Sequence, residues 1–347
     1  MKPTVWLLSA YRSDSHAAWS DWLQANITHC HWQVLELPGR HFAWRIRGNP
    51  LSWLDCLPAE TPELLLATSM VDLATLKGLH PRLATVPTML YFHENQFAYP
   101  RSNHQVTSLE ARMVQIYAAL AADRILFNSR FNRDSFLTGV DQLMAALPDH
   151  VPEKLGERLA ARSTILPVPV ASIRPAHQRE PGLIIWNHRW EYDKAPEQFA
   201  EAMLALAELG KDFRLALLGK RPQTAPEPLQ RLRAELSDRI VADGGVPRDQ
   251  YCQLLGRADI AISTAIHEFQ GISMIEAASA GALPLVPDAL CYQEQYPQEY
   301  RYPPGDTNAL VERLVQWLDA NRPAPVDVSD WLESQVAPAW RSLFPDP

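Results

Sequence analysis

The sequence predicts an α/β protein of two tandem domains, each a parallel sheet covered by helices, and three observations carry that expectation. Short apolar runs of strand length alternate with amphipathic stretches along most of the chain. The alternation stops between Leu166 and Pro181, where Pro167, Pro169, Pro175 and Pro181 stand among short polar residues, and then restarts. The 347 residues suffice for two cores of ordinary domain size. Domains are therefore expected over 1–170 and 183–325, with a linker over 171–182 and a helical tail over 326–347 that packs back on the first domain.

In the first half, Val5–Ser9 reads as the opening strand. Ser15 can cap the helix that follows, whose Trp19, Trp22 and Leu23 recur at helical spacing and would pack on the sheet. Further strands are expected at Trp32–Leu37, Leu64–Thr68, Thr88–Phe92, Arg124–Phe127 and Thr164–Leu166. The second half opens with a strand at Leu183–Trp186. A helix over Pro196–Leu209 follows, with proline suited to its first turn and Gly210 to its C-cap. Then come a strand at Phe213–Leu218, a helix at Leu229–Leu236, a strand at Arg239–Val241, a helix at Asp249–Leu255 and a strand at Asp259–Ser263. A helix over Ile272–Ala280, closed by Gly281, leads to a strand at Leu283–Val286. Two Rossmann-like domains facing a central cleft are the simplest arrangement, and ligands in such sheets sit beyond the carboxyl ends of the strands.

Composition sets limits on function. A share of 47% hydrophobic and 21% charged residues belongs to a globular chain. No apolar run approaches the roughly 18 residues that cross a bilayer, and the start, MKPTVWLLSAYRSDS, reads as a first strand rather than a signal peptide. A cytoplasmic protein with no membrane partner is the expectation. Cys30, Cys56, Cys252 and Cys291 lie far apart with no CxxC pair, which argues against a zinc knuckle or a redox dithiol. The net charge of −8 is uneven: residues 1–180 hold 17 Lys+Arg against 16 Asp+Glu, and the remainder 15 against 24. A polyanion would be tolerated by the first half and repelled by much of the second.

The most informative stretch is HEFQGISMIEAASAG, residues 267–281. Glu268 lies in the loop after a strand, and Glu276 lies two turns into the helix that Gly271 and Ile272 open. That helix start suits a diphosphate, and Glu276 could accept hydrogen bonds from both hydroxyls of a ribose. The loop NHRWEYDK, residues 187–194, follows the first strand of the same domain and carries Asn187, Arg189 and Lys194. Fixed cations there would stabilise the charge that builds on a departing nucleoside diphosphate. A metal-dependent route would need an Asp-x-Asp pair, and no two aspartates stand two apart, so no metal site and no cofactor are expected. In the first half, His93, Glu94, Asn95 and Gln96 follow an apolar strand, and Asn128 with Ser129 end another. His93 could orient a donor hydroxyl or hydrogen-bond the acceptor, while Glu94 or Asn95 could position the attacking hydroxyl. Ser15 and His16 stand after the opening strand and would face the acceptor.

The spacing of Glu268 and Glu276 resembles the E-x7-E signature of glycosyltransferase family 4, and Arg189 with Lys194 resembles that family's diphosphate-binding pair. The resemblance implies the GT-B fold, retention of configuration and no metal. It would place Glu268 on the donor sugar, Glu276 on the ribose, Arg189 and Lys194 on the phosphates, and His93 beside the sugar. Phe269 and Gln270 depart from the Gly-Phe common at those positions, and the loop Ser9–His16 lacks the family's glycines. Longer blocks, residues 88–100, 122–136, 147–150, 187–199 and 258–277, resemble the narrower family of queuosine-tRNA mannosyltransferases. That likeness implies GDP-mannose as donor and, as acceptor, a hydroxyl of the modified nucleoside at the tRNA wobble position.

PGRHFAWRIRGNP, residues 38–50, interleaves Arg40, His41, Arg45 and Arg47 with Phe42 and Trp44. One reading sets the cations on phosphates and the rings on unpaired bases. The other is a basic loop with its aromatics buried between helices. Two functional alternatives also stand beside tRNA modification: a transferase of the same fold acting on a lipid or polysaccharide, and a non-catalytic RNA-binding relative. A nicotinamide dehydrogenase lacks support, because no GxGxxG follows the first strand of either half.

Overall fold

The computed structural model describes residues 2–99, 109–221 and 224–345; Pro100, the last residue of the first resembling block, lies outside them. The chain forms two compact units. The first runs to Pro169 and takes in the chain again from Val336, and the second covers Val170–Gln335.

The first unit holds β1 (Thr4–Arg12), β2 (His31–Pro38), β3 (Leu64–Thr68), β4 (Thr88–Phe92), β5 (Arg124–Phe127) and β6 (Ser163–Ile165). They pair in parallel in the order β2-β1-β3-β4-β5-β6, with Val5 opposite Leu64 and Leu66 opposite Met89. Every residue of β3 and β4 is buried, as a parallel sheet covered on both faces requires, whereas the edge strand β2 is only partly covered. The order turns back between β1 and β3, so the loops after β1, β3 and β4 gather at one end of the sheet.

The second unit holds β7 (Leu183–Trp186), β8 (Arg214–Leu217), β9 (Ile240–Asp243), β10 (Ile260–Ile262), β11 (Leu283–Pro287) and β12 (Arg301–Tyr302). Their order is β12-β11-β10-β7-β8-β9. It reverses between β10 and β7, which are direct neighbours although 77 residues separate Leu183 from Ile260 in the numbering, with Ile260 opposite Ile184.

Three details differ from the sequence reading. The N-cap of the first helix, Asp14–Asn26, is Ser13 rather than Ser15: the Ser13 hydroxyl accepts from the His16 amide, and Ser15 falls inside the first turn. Residues 42–52 form a helix, Phe42–Ser52, not a basic loop. Its Asn49 is fully buried, donating to Met70 O at 3.2 Å and accepting from the Asp72 amide at 3.1 Å. Segment 171–182 belongs to the second unit, where the Ile173 amide donates to Ser279 Oγ at 3.1 Å and the Gly182 amide to Asp259 Oδ2 at 3.0 Å.

The last helix, Glu333–Arg341, brings Trp340 to the first unit. Its indole N–H donates to Pro167 O at 2.8 Å, and its ring lies 5.6 Å from that of Trp19 and 5.1 Å from that of Tyr91. A buried ring of this size contributes about 2 to 3 kcal/mol of hydrophobic stabilisation.

Candidate functional site

In the second unit the reversal of strand order joins the two loops singled out in the sequence. The loop after β7 ends in a 3-10 turn, Tyr192–Lys194, and Ala195 at φ +43° hands the chain to the helix Pro196–Glu208. The loop after β10 is sewn to it: the Ile266 amide donates to Asp193 O at 2.9 Å, and Thr264 Oγ1 to Lys194 O at 2.7 Å. These bonds drive Lys194 inward. Its ammonium donates to His267 O at 2.7 Å and sits 3.1 Å from Glu268 Oε2 and 3.2 Å from Asp193 Oδ2.

Burial alone would lower the Lys194 pKa and raise that of Glu268, but the facing charges outweigh it. Lys194 is held above its ordinary value by Glu268 and Asp193, and Glu268 is drawn down to about 2, chiefly by Lys194. Both are therefore ionised at neutral pH. His188 and His267 line the same cluster and stay neutral, pushed down to about 3 and about 4 by burial and by the Lys194 charge.

Arg189 is placed differently from Lys194. Its guanidinium is half exposed and pairs with Glu191 at 3.0 Å. The two cations expected to act together thus belong to different environments, one locked in the interior and one on the rim.

Gly271 caps the helix Ile272–Ser279 at φ +64° without a side-chain bond, and a Cβ there would lie 2.8 Å from Tyr292 Cε1. Ile272 is the first helical residue. Glu276, on the same helix, accepts from the Tyr251 hydroxyl at 2.8 Å through Oε2 and pairs with Arg248 at 2.7 Å through Oε1. Asn187 donates to the Tyr251 oxygen and to Ser273 O, both at 3.0 Å, so the start of one loop is tied to the helix that the other opens. Burial and the adjacent Glu276 charge raise the Tyr251 pKa well above its ordinary value, so the phenol keeps its proton. Tyr251, Arg248, His188 and Asp193 were not singled out in the sequence. His188 and Asp193 stood inside a marked loop, while Tyr251 and Arg248 lie on a separate helix, Arg248–Arg257, with no local signal.

In the first unit, His93 follows β4 and is buried among rings. Its ring centroid lies 4.1 Å from His16, 4.6 Å from Trp19 and 4.6 Å from Tyr91, and Trp19 stacks on Tyr91 at 4.8 Å. His16 is fixed by its Nδ1, 2.8 Å from Tyr11 O. Burial holds both imidazoles below their ordinary pKa, for His93 reinforced by His16. Neither ring nitrogen of His93 has a hydrogen-bond partner among the described residues.

The other first-unit candidates divide. Glu94 is partly buried beside His93, and its carbonyl accepts from Ser69 Oγ at 3.0 Å. Asn95, expected to position an acceptor, is fully buried. Its amide donates to Asn132 and Ser135, and its oxygen accepts from the Phe97 and Ala98 amides, so it shapes the loop from within. Asn128 and Ser129 are also structural: Asn128 donates to His93 O at 2.9 Å, and Ser129 caps the helix Arg130–Ala146. Ser15 is exposed and lies 3.2 Å from Ser13 Oγ. Trp44 is exposed on the helix Phe42–Ser52, Arg45 donates to Ser52 Oγ at 3.3 Å, and Arg47 is bound by Asp72 and Glu110. Among the described residues no group of three or more His, Cys, Asp or Glu could hold a metal ion, and no helix is long and apolar enough to cross a membrane.

Solved structures share this architecture at low identity. A sucrose-phosphate synthase from Thermosynechococcus elongatus superposes with a TM-score of 0.75 at 12% identity, over 99% of this chain and 98% of that one. The apo lipopolysaccharide outer core galactosyltransferase WaaB gives 0.65 at 10% identity, over 99% and 98%. Two six-stranded parallel sheets of this kind define the GT-B fold, and the chain is a glycosyltransferase, residues 171–328 matching the family of glycosyl transferases group 1. Residues 4–170 match the family described as tRNA-queuosine alpha-mannosyltransferase N-terminal. A tRNA-queuosine alpha-mannosyltransferase from Drosophila melanogaster is 32% identical over 330 residues, 91% of this chain and 87% of the relative. The chain belongs to the tRNA-queuosine alpha-mannosyltransferase family. A shorter likeness, 27% over 113 residues, covers 32% of this chain and 30% of the GDP-mannose:cellobiosyl-diphosphopolyprenol alpha-mannosyltransferase of Xanthomonas campestris.

Proposed function

We propose that this enzyme transfers mannose from GDP-mannose to queuosine at the wobble position of tRNA, with retention of configuration and without a metal ion. The observation that carries this reading is the meeting of Lys194 and Glu268, with the Asn187–Tyr251–Glu276 chain, at the point where strand order reverses. The whole-length likeness to a queuosine-tRNA mannosyltransferase supports the acceptor, and the shorter likeness to an enzyme named for GDP-mannose supports the donor.

In this reading Glu276 takes the ribose hydroxyls and the helix start at Gly271 and Ile272 faces the diphosphate. Arg189 leaves Glu191 for the phosphate oxygens as charge builds on them, which its exposed position permits. Lys194 keeps Glu268 ionised and fixed so that its carboxylate accepts sugar hydroxyls. Glu268 is not a nucleophile here, because a carboxylate held by an ammonium at 3.1 Å is a weak one. The bond from the anomeric carbon to the phosphate oxygen breaks, the acceptor oxygen bonds to that carbon on the same face, and the acceptor proton passes to a phosphate oxygen of the leaving GDP. His93, neutral and enclosed, helps Glu268 fix the sugar, and His16 serves the acceptor.

Incubation of the enzyme with labelled GDP-mannose, EDTA and either queuosine-containing tRNA or a lipid extract tests the reading. Label recovered as a mannosylated queuosine by mass spectrometry of digested tRNA is expected. Label in lipid alone, or transfer abolished by EDTA and restored by Mg²⁺, would sink it.

A further inference from the structure

Helix Phe42–Ser52 presents to solvent an indole ring more exposed than the rings of Tyr117 and Tyr192. Trp44 is 51% exposed, whereas Trp6, Trp19, Trp186, Trp317 and Trp340 are buried. The ring is nonetheless held in place. One turn on stands Gly48, where a Cβ would lie 2.5 Å from Trp44 Cε2 and 2.6 Å from Cδ2 and Cζ2, so the indole rests against bare backbone. The helix beneath is anchored through the buried side chain of Asn49.

The sequence on either side of the ring is one-sided in charge. From Pro38 to Leu54 the sequence contains Arg40, His41, Arg45 and Arg47 and no acidic residue, in a chain of net charge −8. Arg47 is already neutralised by Asp72 and Glu110. Arg40 and Arg45 have no carboxylate partner among the described residues.

We infer that Trp44 is a stacking platform for an unpaired base of an RNA loop, with Arg40 and Arg45 meeting the adjacent phosphates. A flat ring fixed on one side accepts a base on the other at little entropic cost, and the exposed Arg40 with Arg45, whose guanidinium donates only to the Ser52 hydroxyl among the described residues, can meet a phosphate chain. The inference rests on the RNA-acceptor reading and adds to it that the acceptor is recognised as a loop of RNA, not as an isolated nucleoside. It also removes Arg47 from the phosphate contacts.

The probes are a queuosine-containing anticodon stem-loop, a fully paired RNA duplex of equal length, and GDP. Trp44→Ala is expected to weaken stem-loop binding about tenfold, with duplex and GDP affinities unchanged and Trp44→Phe restoring most of the loss. Gly48→Ala keeps the indole but lifts it from the helix, and is expected to weaken the stem-loop in the same selective way. Unchanged stem-loop affinity in Trp44→Ala, or an equal fall for stem-loop and duplex, would overturn the assignment; the first outcome would leave the exposed ring to a protein partner. Wild-type enzyme that bound GDP but not the stem-loop would instead defeat the RNA-acceptor reading itself.

Discussion

Lys194 Nζ lies 3.1 Å from Glu268 Oε2, although the two residues stand 74 positions apart. The ammonium and the carboxylate arrive on loops from neighbouring strands and neutralise each other inside one unit, leaving Arg189 exposed on the rim.

Removing one member of this pair strands the other. Lys194→Met should destabilise the second unit by about 3 kcal/mol, because a buried charge left alone costs more than the pair contributed. The triple variant Lys194→Met/Glu268→Gln/Asp193→Asn, which leaves no buried carboxylate behind, should recover most of the loss. Urea unfolding followed by circular dichroism measures both, and a single variant as stable as wild type would contradict the burial argument.

Steady-state kinetics should separate the two ends of the proposed donor site. Glu276→Ala is expected to raise the donor KM with a modest change in kcat, since the ribose contacts proposed for it would persist through the reaction. Arg189→Ala is expected to lower kcat about a hundredfold or more, because its bonds strengthen as the diphosphate departs. Unaltered turnover in Arg189→Ala would remove it from the diphosphate.

Acid should weaken the fold earlier than carboxylate titration would suggest. His188 and His267 titrate near 6.5 when unfolded but near 3 and 4 when folded, so stability is full above pH 6.5 and drains as pH falls below it. Glu268, at about 2 folded against 4.5 unfolded, stabilises above pH 4.5 and adds a further loss between 4.5 and 2. The urea midpoint should fall from pH 6.5 downward and more steeply below 4.5, with His188→Gln flattening the upper part. A midpoint constant from pH 7 to 5 would refute the neutral-histidine assignment.

Gly271→Ala places a β-carbon on a left-handed backbone and against the Tyr292 ring. The expected cost is about 1 to 3 kcal/mol, with weaker GDP binding as the helix start shifts. Calorimetric titration showing wild-type GDP affinity would exclude a need for that backbone geometry.

Much of this was legible in the chain. β3, β4, β5 and β7 coincide with the expected Leu64–Thr68, Thr88–Phe92, Arg124–Phe127 and Leu183–Trp186, because an apolar run between helices leaves little choice of strand. Three readings were altered by the structure. Ser15 and Ser13 are chemically equal as caps, residues 38–50 read either as an RNA-contacting stretch or as a basic loop, and Asn95 resembles any polar residue after a strand. For Asn49 and Asn95 the outcome depended on partners distant in the sequence, Met70 and Asp72 for the one and Asn132 for the other, whereas the cap turned on a local bond from the His16 amide to Ser13.

Taken alone, the sequence determined which residues could carry charge to a nucleotide sugar and which strands would hold them, since hydrophobic period and loop chemistry are local properties. Only the tertiary structure decided which of those charges pair. Neighbouring β10 and β7 bury Lys194 on Glu268, and Tyr251 and Arg248 reach Glu276 from another helix. Such pairings depend on strand order, and strand order is set by how the whole sheet packs.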